Sequence, residues 1–295
     1  MTILITGATS GLGLSTARAA RSRGVEVVAL GRDGRAVARV AERLGCVPFV
    51  LDLTRLADVR AAVHRLPHVE AVACNAGVQV LRGPTRTPDG LEETLAVNHL
   101  AHLALVDALL RRDAPPRRVV LLGSATHDPA RSTGTPDPIE EGDLAALAHP
   151  GPDTELPRTA GVRRYATTKL LAVATAAALA REHPAACITT FDPGLMPGTG
   201  LARQYPLAVR VLLSTVLPAL RVLPFASSPA ASGRALAALL CEDPSPAASG
   251  ECVDHRLRRV RPSDRARDPA YQDRVLRESR ALLDGLARSG PGGSA

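Results

Sequence analysis

The sequence predicts an α/β fold, a single doubly wound parallel sheet of about seven strands with helices on both faces. Short apolar runs rich in Val, Ile and Leu alternate with longer helical segments from residue 2 onward. The runs are apolar throughout, as expected for parallel strands that are buried on both faces. A length of 295 residues is sufficient for one large domain with a substantial core.

The predicted elements alternate in a regular order. Strands are predicted over residues 2–6, 25–30, 47–51, 69–74, 118–123 and 187–191. Helices are predicted after the first strand up to Gly24, and over 35–44, 55–65, 88–111, 162–182 and 270–287. We expect one domain over 1–288, with a C-terminal extension over 256–288 and a disordered tail over 289–295.

Charge and composition bear on the class of partner. The net charge is +7, which by itself suits a nucleic acid. The arginines are scattered, however, and three Tyr and three Phe cannot form a platform on which bases stack. We therefore expect no nucleic-acid partner, and we interpret the arginines of 256–267 as a solvated basic surface.

The five cysteines predict neither a metal site nor a disulfide framework. They show no C-x-x-C or zinc-type spacing, and an odd number without a secretory leader is typical of reduced thiols in a cytoplasmic protein. The apolar run 211–220 lies between Arg210 and Arg221 and contains Pro218, so it is too short to cross a bilayer. We expect no metal and no integral membrane segment, and contact of 205–226 with a membrane surface stays open.

A glycine-rich turn joins the first strand to the first helix. Its pattern is G-x-x-x-G-x-G. Because glycine has no Cβ, such a turn is tight and lets backbone N–H groups and the helix N-terminus approach a pyrophosphate. A plain connector is the alternative. The residues expected to bind a dinucleotide cofactor here are Gly7, Thr9, Ser10, Gly11, Leu12 and Gly13.

Arg32 follows the second strand, where the adenosine ribose of a dinucleotide is expected. An arginine suits the 2′-phosphate of NADP(H), whereas an acidic residue accepts from the 2′-hydroxyl of NAD(H). Arg32 favours NADP(H), and the neighbouring Asp33 keeps NAD(H) as the alternative. Asp52, with Leu53 beside it, is placed to accept from the adenine amino group, or else shares a helix-cap role with Thr54.

Both asparagines of the chain lie in informative contexts. Asn75 begins the segment Asn75-Ala76-Gly77 at the end of the fourth strand. Its amide can join neighbouring strands beneath a cofactor, and Gly77 leaves room for a ribose. Asn98 lies inside a predicted helix, in which asparagine is a poor former. It either breaks a backbone bond to hold a water or is a satisfied core residue.

Lys169 is the only lysine of the chain, and it follows Tyr165 by four positions. On a helix these two side chains share a face. A nearby cation lowers the pKa of a phenol from about 10 and makes tyrosine a usable general acid and base. An incidental helical pair is the alternative. Ser124 ends the fifth strand at the carboxyl edge of the sheet, where its hydroxyl can orient a substrate carbonyl.

Together these motifs resemble the short-chain dehydrogenase/reductase family, which has the Rossmann fold. The resemblance implies that Tyr165 is the catalytic acid and base and that Lys169 lowers its pKa and binds the nicotinamide ribose. It also implies that Ser124 orients the substrate and that Asn98 completes a water-linked proton relay. The shared motifs, in the family's order, are T-G-x-x-x-G-x-G at 6–13, N-A-G at 75–77, Asn98, Ser124, Y-x-x-x-K at 165–169 and P-G at 193–194.

Residues 97–102, Val-Asn-His-Leu-Ala-His, are similar to the retinol dehydrogenase and protochlorophyllide reductase branch of that family, which generally uses NADP(H). So is the T-G-L segment that begins at Thr199. The resemblance implies that Pro193, Gly194 and Thr199 hold the nicotinamide carboxamide. Leu195 stands where protochlorophyllide reductases have cysteine, so that particular activity is not expected.

Residues 125–164 are interpreted as an insertion, because Ser124 and Tyr165 are much further apart than in the short form of the family. We expect the insertion to form a wall or lid of the substrate pocket, with the apolar segment 195–225 as a second lid. Relatives with such insertions are sometimes monomeric, so monomer and homodimer both stay open. The expected substrate contacts are His127, for which a surface-loop role is the alternative, Leu195 and Met196.

The leading hypothesis is an NADPH-dependent oxidoreductase that reduces a lipophilic ketone or aldehyde, with Tyr165 as the proton donor. The reverse oxidation uses the same atoms, so the sequence leaves the direction open, as it does the natural substrate. The alternative is a non-catalytic NADP(H)-binding sensor or scaffold of the same fold. Relatives of that kind typically lose the tyrosine or the lysine, and this chain keeps both.

Overall fold

A computed structural model describes residues 1–131, 133–139, 142–196 and 226–289. Within them, eight strands form one sheet. They are β1 (Thr2–Thr6), β2 (Glu26–Gly31), β3 (Val47–Val50), β4 (Ala71–Cys74), β5 (Arg118–Leu122), β6 (Cys187–Asp192), β7 (Cys252–Asp254) and β8 (Arg259–Val260). Their order in the sheet is β3-β2-β1-β4-β5-β6-β7-β8.

Helices cover both faces of this sheet. They are α1 (Gly11–Arg21), α2 (Gly34–Leu44), α3 (Leu56–Ala62), α4 (Glu93–Leu95), α5 (Ala101–Leu110), α6 (Leu144–Ala148), α7 (Pro157–Glu182), α8 (Pro229–Cys241), α9 (Asp264–Arg267) and α10 (Pro269–Ser289). A π-helical turn, Ala96–Leu100, joins α4 to α5, and 3-10 turns cover Val63–Arg65 and Ala125–His127.

The predicted doubly wound α/β fold is confirmed. The first seven strands are parallel, and only β8 is antiparallel to its neighbour. The chain moves outward from β1 to β3 and then returns to place β4 on the other side of β1. In such sheets, ligands bind beyond the carboxyl ends of the strands where this reversal occurs. The two-residue β8 brings the total to eight, close to the predicted number.

The core consists of two apolar layers, one on each face of the sheet. In β1, Leu4 belongs to one layer, whereas Ile3 and Ile5 belong to the other, as the alternation of side chains along a strand requires. The first layer includes side chains of α3, α5, α7 and α10. The second includes side chains of α1, α2 and α8. Burial of both faces explains the continuously apolar strands.

The predicted helix over 88–111 is wrong in its first turns and in its continuity. The helical segment begins only at Glu93, and the π-helical turn interrupts it before α5. Pro88 and Gly90 precede it, and Gly90 has a positive φ of 79°. This φ is incompatible with a right-handed helix, so the helix cannot extend back through residue 90 to residue 88. The predicted helix over 162–182 instead begins earlier, at Pro157, a favourable first helical position.

The C-terminal helix α10 packs on α7 and is attached by polar contacts. Arg280 donates to both carboxylate oxygens of Asp107 at 2.8 Å and to Glu182. His99 in the π-helical turn lies 2.7 Å from the hydroxyl of Ser279. Part of the extension over 256–288 is therefore core structure.

Five of the six arginines of 256–267 are exposed, as a solvated basic surface requires. Among them, Arg259 pairs with Glu251, and Arg267 pairs with Asp264. Among the described helices, none is long and apolar enough to span a membrane. Of the segment 205–226 all but residue 226, of the predicted tail 289–295 all but residue 289, and of the expected lid 195–225 all but Leu195 and Met196 lie outside the described residues.

Gly161 in α7 provides a test of the packing of α7 against Val80 and Leu81. A Cβ at this position would be 2.1 Å from the carbonyl oxygen of Val80 and 3.0 Å from Cα of Leu81. Gly161→Ala is therefore expected to lower the free energy of unfolding by about 1–3 kcal/mol, because backbone must move. The control is Gly285→Ala in α10, where a Cβ meets nothing within 4 Å. It is expected to raise stability by up to about 1 kcal/mol. Urea unfolding of both variants measures this, and equal effects would contradict the packing.

Candidate active site

A cleft of about 330 Å³ opens at the carboxyl ends of the central strands. Many of the predicted site residues line it: Gly7, Thr9, Ser10, Gly11, Leu12, Arg32, Asp52, Leu53, Asn75, Ala76, Gly77, Tyr165, Lys169, Pro193 and Met196. Sequence reasoning missed further lining residues, among them Thr54, Val78, Gln79, Val97, Leu122 and Gly123. Each of these lies within two positions of a predicted site residue in the chain, and that proximity is the signal that identifies them.

The glycine turn has the geometry that a bound pyrophosphate needs. Gly7 and Gly11 have positive φ angles of 67° and 54°. A Cβ on Gly13 would be 2.3 Å from the carbonyl oxygen of Gly7. The turn therefore requires glycine and brings the N-terminus of α1, the positive end of its dipole, to the cleft. The residues present fit the phosphates of a dinucleotide.

Asn75 joins β1 to β4 beneath the cleft. Its Nδ2 donates to the carbonyl oxygen of Thr6 at 2.8 Å. The hydroxyl of Thr6 in turn accepts from the backbone N–H groups of Asn75 at 2.8 Å and Ala76 at 2.9 Å. These bonds fix the first residues of the segment Asn75–Val78, which passes along the cleft wall.

Asn98 lies in the π-helical turn, a feature that often occurs at functional sites. Its Oδ1 accepts from the N–H of Val78 at 2.8 Å, and its Nδ2 donates to the carbonyl oxygen of Val78 at 2.9 Å. Nδ2 also donates to the hydroxyl of Thr168 at 3.2 Å. The side chain is thus a satisfied buried amide, while the backbone at the same place departs from the α-helix. It connects the segment Asn75–Val78 to the helix of Tyr165.

Lys169 extends from α7 to the end of β5. Its Nζ donates to the carbonyl oxygen of Leu122 at 2.8 Å and lies 5.3 Å from the centre of the Tyr165 ring. The lysine side chain is buried. Burial lowers the pKa of the ammonium to about 8, and the negative charge of Asp192 opposes this change. The phenol of Tyr165 is half-buried at the cleft, with the cation beside it.

Ser124 lies at the edge of the cleft, because the preceding Gly123 lines it. Its hydroxyl oxygen accepts from the N–H of Thr126 at 3.3 Å and caps the short 3-10 turn after β5. This contact uses the hydroxyl oxygen only as an acceptor, so the hydroxyl proton can be donated to an acceptor in the cleft.

The described part of the insertion is attached to the first turns of α7. Arg163 forms a bidentate pair with Glu155 at 3.0 and 3.2 Å, and Arg164 pairs with Asp153. The hydroxyl of Thr167 accepts from the backbone N–H of residue 139 at 2.9 Å. These contacts hold the described part of the insertion against α7, and its role as a wall or lid of the substrate pocket stays a prediction.

His127 is buried, so the surface-loop role that the sequence left as the alternative is wrong. Its Nδ1 lies 2.6 Å from the carbonyl oxygen of Ser124, and its Nε2 accepts from the N–H of Ser263 at 3.3 Å. Desolvation lowers the pKa of the ring, which keeps it neutral. Both ring nitrogens are thereby used within the protein. The geometry favours a structural connection to the C-terminal extension over the predicted contact with substrate.

Arg32 lines the cleft, whereas the carboxylate of Asp33 is used elsewhere. Oδ1 of Asp33 accepts from the N–H of Ala36 at 3.0 Å, which caps α2 and lowers the pKa of the carboxyl. Oδ1 of Asp52 accepts from both the N–H and the hydroxyl of Thr54, at 3.0 and 2.9 Å. The local partnership with Thr54 that the sequence left as an alternative is therefore present, and Asp52 lines the cleft as well.

The segment after β6 forms another side of the cleft. The N–H of Gly194 donates to Oδ1 of Asp192 at 3.0 Å, which fixes the turn beside Pro193. Leu195 is a large apolar side chain left 48% exposed. Thr199, expected at the nicotinamide carboxamide, lies outside the described residues.

Comparison with known proteins gives the family. The family model described as short chain dehydrogenase matches residues 1–128. A protochlorophyllide reductase of Avena sativa is 32% identical over 232 residues, which cover 69% of this chain and 74% of that protein. The chain is a short-chain dehydrogenase/reductase. The family and the protochlorophyllide reductase-like branch indicated by the sequence are confirmed.

Two further proteins place this short-chain dehydrogenase/reductase among its relatives. A protein of Streptomyces sp. strain C5 named as a daunorubicin C-13 ketoreductase is 34% identical over 203 residues. The match covers 65% of this chain and 65% of that protein, slightly less than two thirds of its length. The solved 3-ketoacyl-(acyl-carrier-protein) reductase of Brucella melitensis, complexed with NADH, has a TM-score of 0.62 at 21% identity and covers 86% and 95% of the two chains. This last similarity shows the fold.

The buried charge of Lys169 gives a prediction for stability against pH. Below about pH 8 the lysine is charged in both the folded and the unfolded protein, and the cost of burial is fully present. Between about 8 and about 10.5 the unfolded chain binds more protons, so folded stability rises with pH. Relative to Lys169→Met, the wild type should gain about 2 kcal/mol between about pH 7.5 and about pH 9.5. Urea unfolding across this range measures the gain.

The control for this measurement is Gly285→Ala, which keeps both the lysine and the tyrosine and should show the wild-type slope. Parallel pH profiles of wild type and Lys169→Met would contradict the lowered pKa.

Proposed function

We propose that this enzyme uses NADPH to reduce a lipophilic ketone or aldehyde to an alcohol. The observation that carries the proposal is the pair of Tyr165 and Lys169 in the cleft. The ammonium is buried, donates to Leu122 and lies beside the phenol ring. Burial of the only lysine costs stability, and groups of this kind are retained where chemistry needs them.

The residues of the chain would have the following roles in the reaction. A bound nicotinamide supplies the hydride. Tyr165 donates its hydroxyl proton to the carbonyl oxygen, and Lys169 stabilises the phenolate that remains. Ser124 donates a hydrogen bond to the same oxygen, which favours the developing negative charge. Asn98 holds the helix of Tyr165 and the cleft wall together and, in this proposal, completes the proton path.

Other residues at the cleft would hold the cofactor. The glycine turn would bind the pyrophosphate, and Asp52 the adenine. Pro193 and Gly194 would face the nicotinamide. The fit of the glycine turn to phosphate, where a Cβ on Gly13 has no room, supports this assignment.

The preference for NADPH follows from the end of β2. Arg32 is exposed and lines the cleft, so its guanidinium is available to a 2′-phosphate. The acidic neighbour Asp33 is the cap of α2 and does not line the cleft. An acidic residue that would bind a free 2′-hydroxyl is thus engaged in another contact.

The substrate class rests on apolar side chains and on the relatives. Met196 lines the cleft and Leu195 is exposed nearby, so an apolar surface follows the proposed nicotinamide position. The relatives include proteins named as a daunorubicin ketoreductase and as a protochlorophyllide reductase. Both names are those of reductases, and the first names a ketone as the group that is reduced, which supports a carbonyl substrate.

Tyr165→Phe tests the proposed proton donor. Turnover of lipophilic ketones with NADPH is expected to fall about a thousandfold, because the carbonyl oxygen loses its proton source. The affinity for NADPH should change less than twofold, since the backbone and Lys169 remain. Loss of nicotinamide absorbance and a binding titration measure the two. Binding without any turnover by the wild type over a broad panel would instead favour a sensor or scaffold.

Arg32→Ala tests the choice of cofactor. The Kd for NADPH is expected to rise about tenfold or more, because a charge-assisted bond to the 2′-phosphate is lost. The Kd for NADH should stay within twofold. Arg35→Ala is the matched control, because Arg35 is exposed close by but does not line the cleft. Equal effects of the two substitutions on NADPH would rule out a specific role for Arg32.

A further inference from the structure

His102 in α5 connects the two segments that build the cleft wall. The ring is buried, 2% exposed. Its Nδ1 lies 3.2 Å from the backbone carbonyl oxygen of Asn98, and its Nε2 lies 3.0 Å from the hydroxyl of Thr6. One side chain thus contacts the π-helical turn and the end of β1.

The partners fix the tautomer of this ring. A carbonyl oxygen only accepts, so Nδ1 carries the proton and donates to Asn98. Desolvation lowers the pKa of the ring to about 4, so it is neutral and Nε2 is an acceptor. The hydroxyl of Thr6 therefore donates to Nε2. The carbonyl oxygen of Ala73, at 3.3 Å, is the other acceptor within its reach.

The orientation of the Thr6 hydroxyl affects the segment Asn75–Val78. Its oxygen accepts from the N–H groups of Asn75 and Ala76. Both acceptor positions are used in this way, so the hydroxyl is left to donate its proton, and the unprotonated Nε2 of His102 is the nearer of its two acceptors. The hydrogen bonds from Thr6 to the segment Asn75–Val78 are thereby set by the histidine.

The same segment is held at its other end by Asn98, whose side chain binds both backbone groups of Val78. The backbone of Asn98 is the second partner of His102. The ring therefore joins the two anchors of the segment, one at each end, through bonds that do not pass through the segment itself.

We propose that His102 is a positioning residue for the cofactor: by holding the Thr6 hydroxyl, it sets the backbone of Asn75–Val78 in the form that binds the nicotinamide cofactor. Cofactor use follows from the family, and only the choice of NADPH rests on the proposed function. The ring does not line the cleft, so it acts through Thr6 and not by contact.

His99 provides a matched control on the same helical segment. It is equally buried, and desolvation lowers the pKa of its ring to about 3, so it too is neutral. Its Nε2 contacts Ser279 in the C-terminal helix, on the side away from the cleft. Loss of this ring removes a buried hydrogen bond of the same kind without changing a contact of the segment Asn75–Val78.

The first experiment compares His102→Leu with His99→Leu. Binding is followed by the fluorescence of NADPH, and of NADH in parallel, in a protein that has no tryptophan. Both substitutions are expected to lower the midpoint of thermal unfolding. His102→Leu should raise the Kd for both cofactors about tenfold, and His99→Leu should leave each Kd within twofold. Equal Kd changes in the two variants would overturn the proposal.

Two conservative variants test the two hydrogen bonds of the His102 ring separately. They also test the proposal if the leucine variants do not fold. Glutamine reaches the position of Nε2 and can bind Thr6, whereas asparagine reaches only the position of Nδ1 and can bind Asn98. His102→Gln is expected to bind both cofactors within about threefold of wild type, and His102→Asn to bind about tenfold more weakly. The opposite order, or no difference, would contradict the proposal.

These outcomes are independent of the substrate, because no turnover is measured. Weak NADPH binding with normal NADH binding in the wild type would refute the proposed preference for NADPH. The histidine variants would then be compared by their Kd values for NADH.

Discussion

The structure around the cleft depends on keeping one ammonium charged inside the protein. Lys169 is buried, and an isolated cation in such a place would lose its proton. The carbonyl oxygen of Leu122 accepts from it, and the charge of Asp192 favours the charged form. Both come from neighbouring, paired strands, since Leu122 is aligned with Phe191, the residue before Asp192. The sheet register therefore determines whether the cation can exist there.

Polar groups are also buried along the helices behind this site, where neutral hydrogen-bonded rings and ion pairs balance the cost of burial. His99 and His102 are neutral rings in the π-helical turn and in α5, and each has partners on other elements. Farther along, Arg280 of α10 forms ion pairs with Asp107 and Glu182. Paired charges lie toward the surface, and neutral hydrogen-bonded rings lie toward the core, as the cost of desolvation requires.

Local patterns predicted much of this molecule. The sheet, the glycine turn and the pairing of Tyr165 with Lys169 follow from spacing within a few residues, and the structure shows each of these arrangements. The irregular turn at Ala96–Leu100 could not be located in this way, because its apolar residues continue the helical pattern on both sides. The burial of His127 depends on Ser263, which is remote in sequence. Contacts of this kind arise only from the assembled tertiary structure.

The attachment of the insertion separates two properties of the enzyme. Its anchors are Arg163, Arg164 and Thr167, which bind the insertion, while Tyr165 and Lys169 on the same helix are directed to the cleft. The stretch 128–156 can therefore be exchanged for another that offers an acidic side chain to each arginine, with the reacting groups left in place. Such a graft, in evolution or in the laboratory, shows whether this single stretch of chain sets the substrate range.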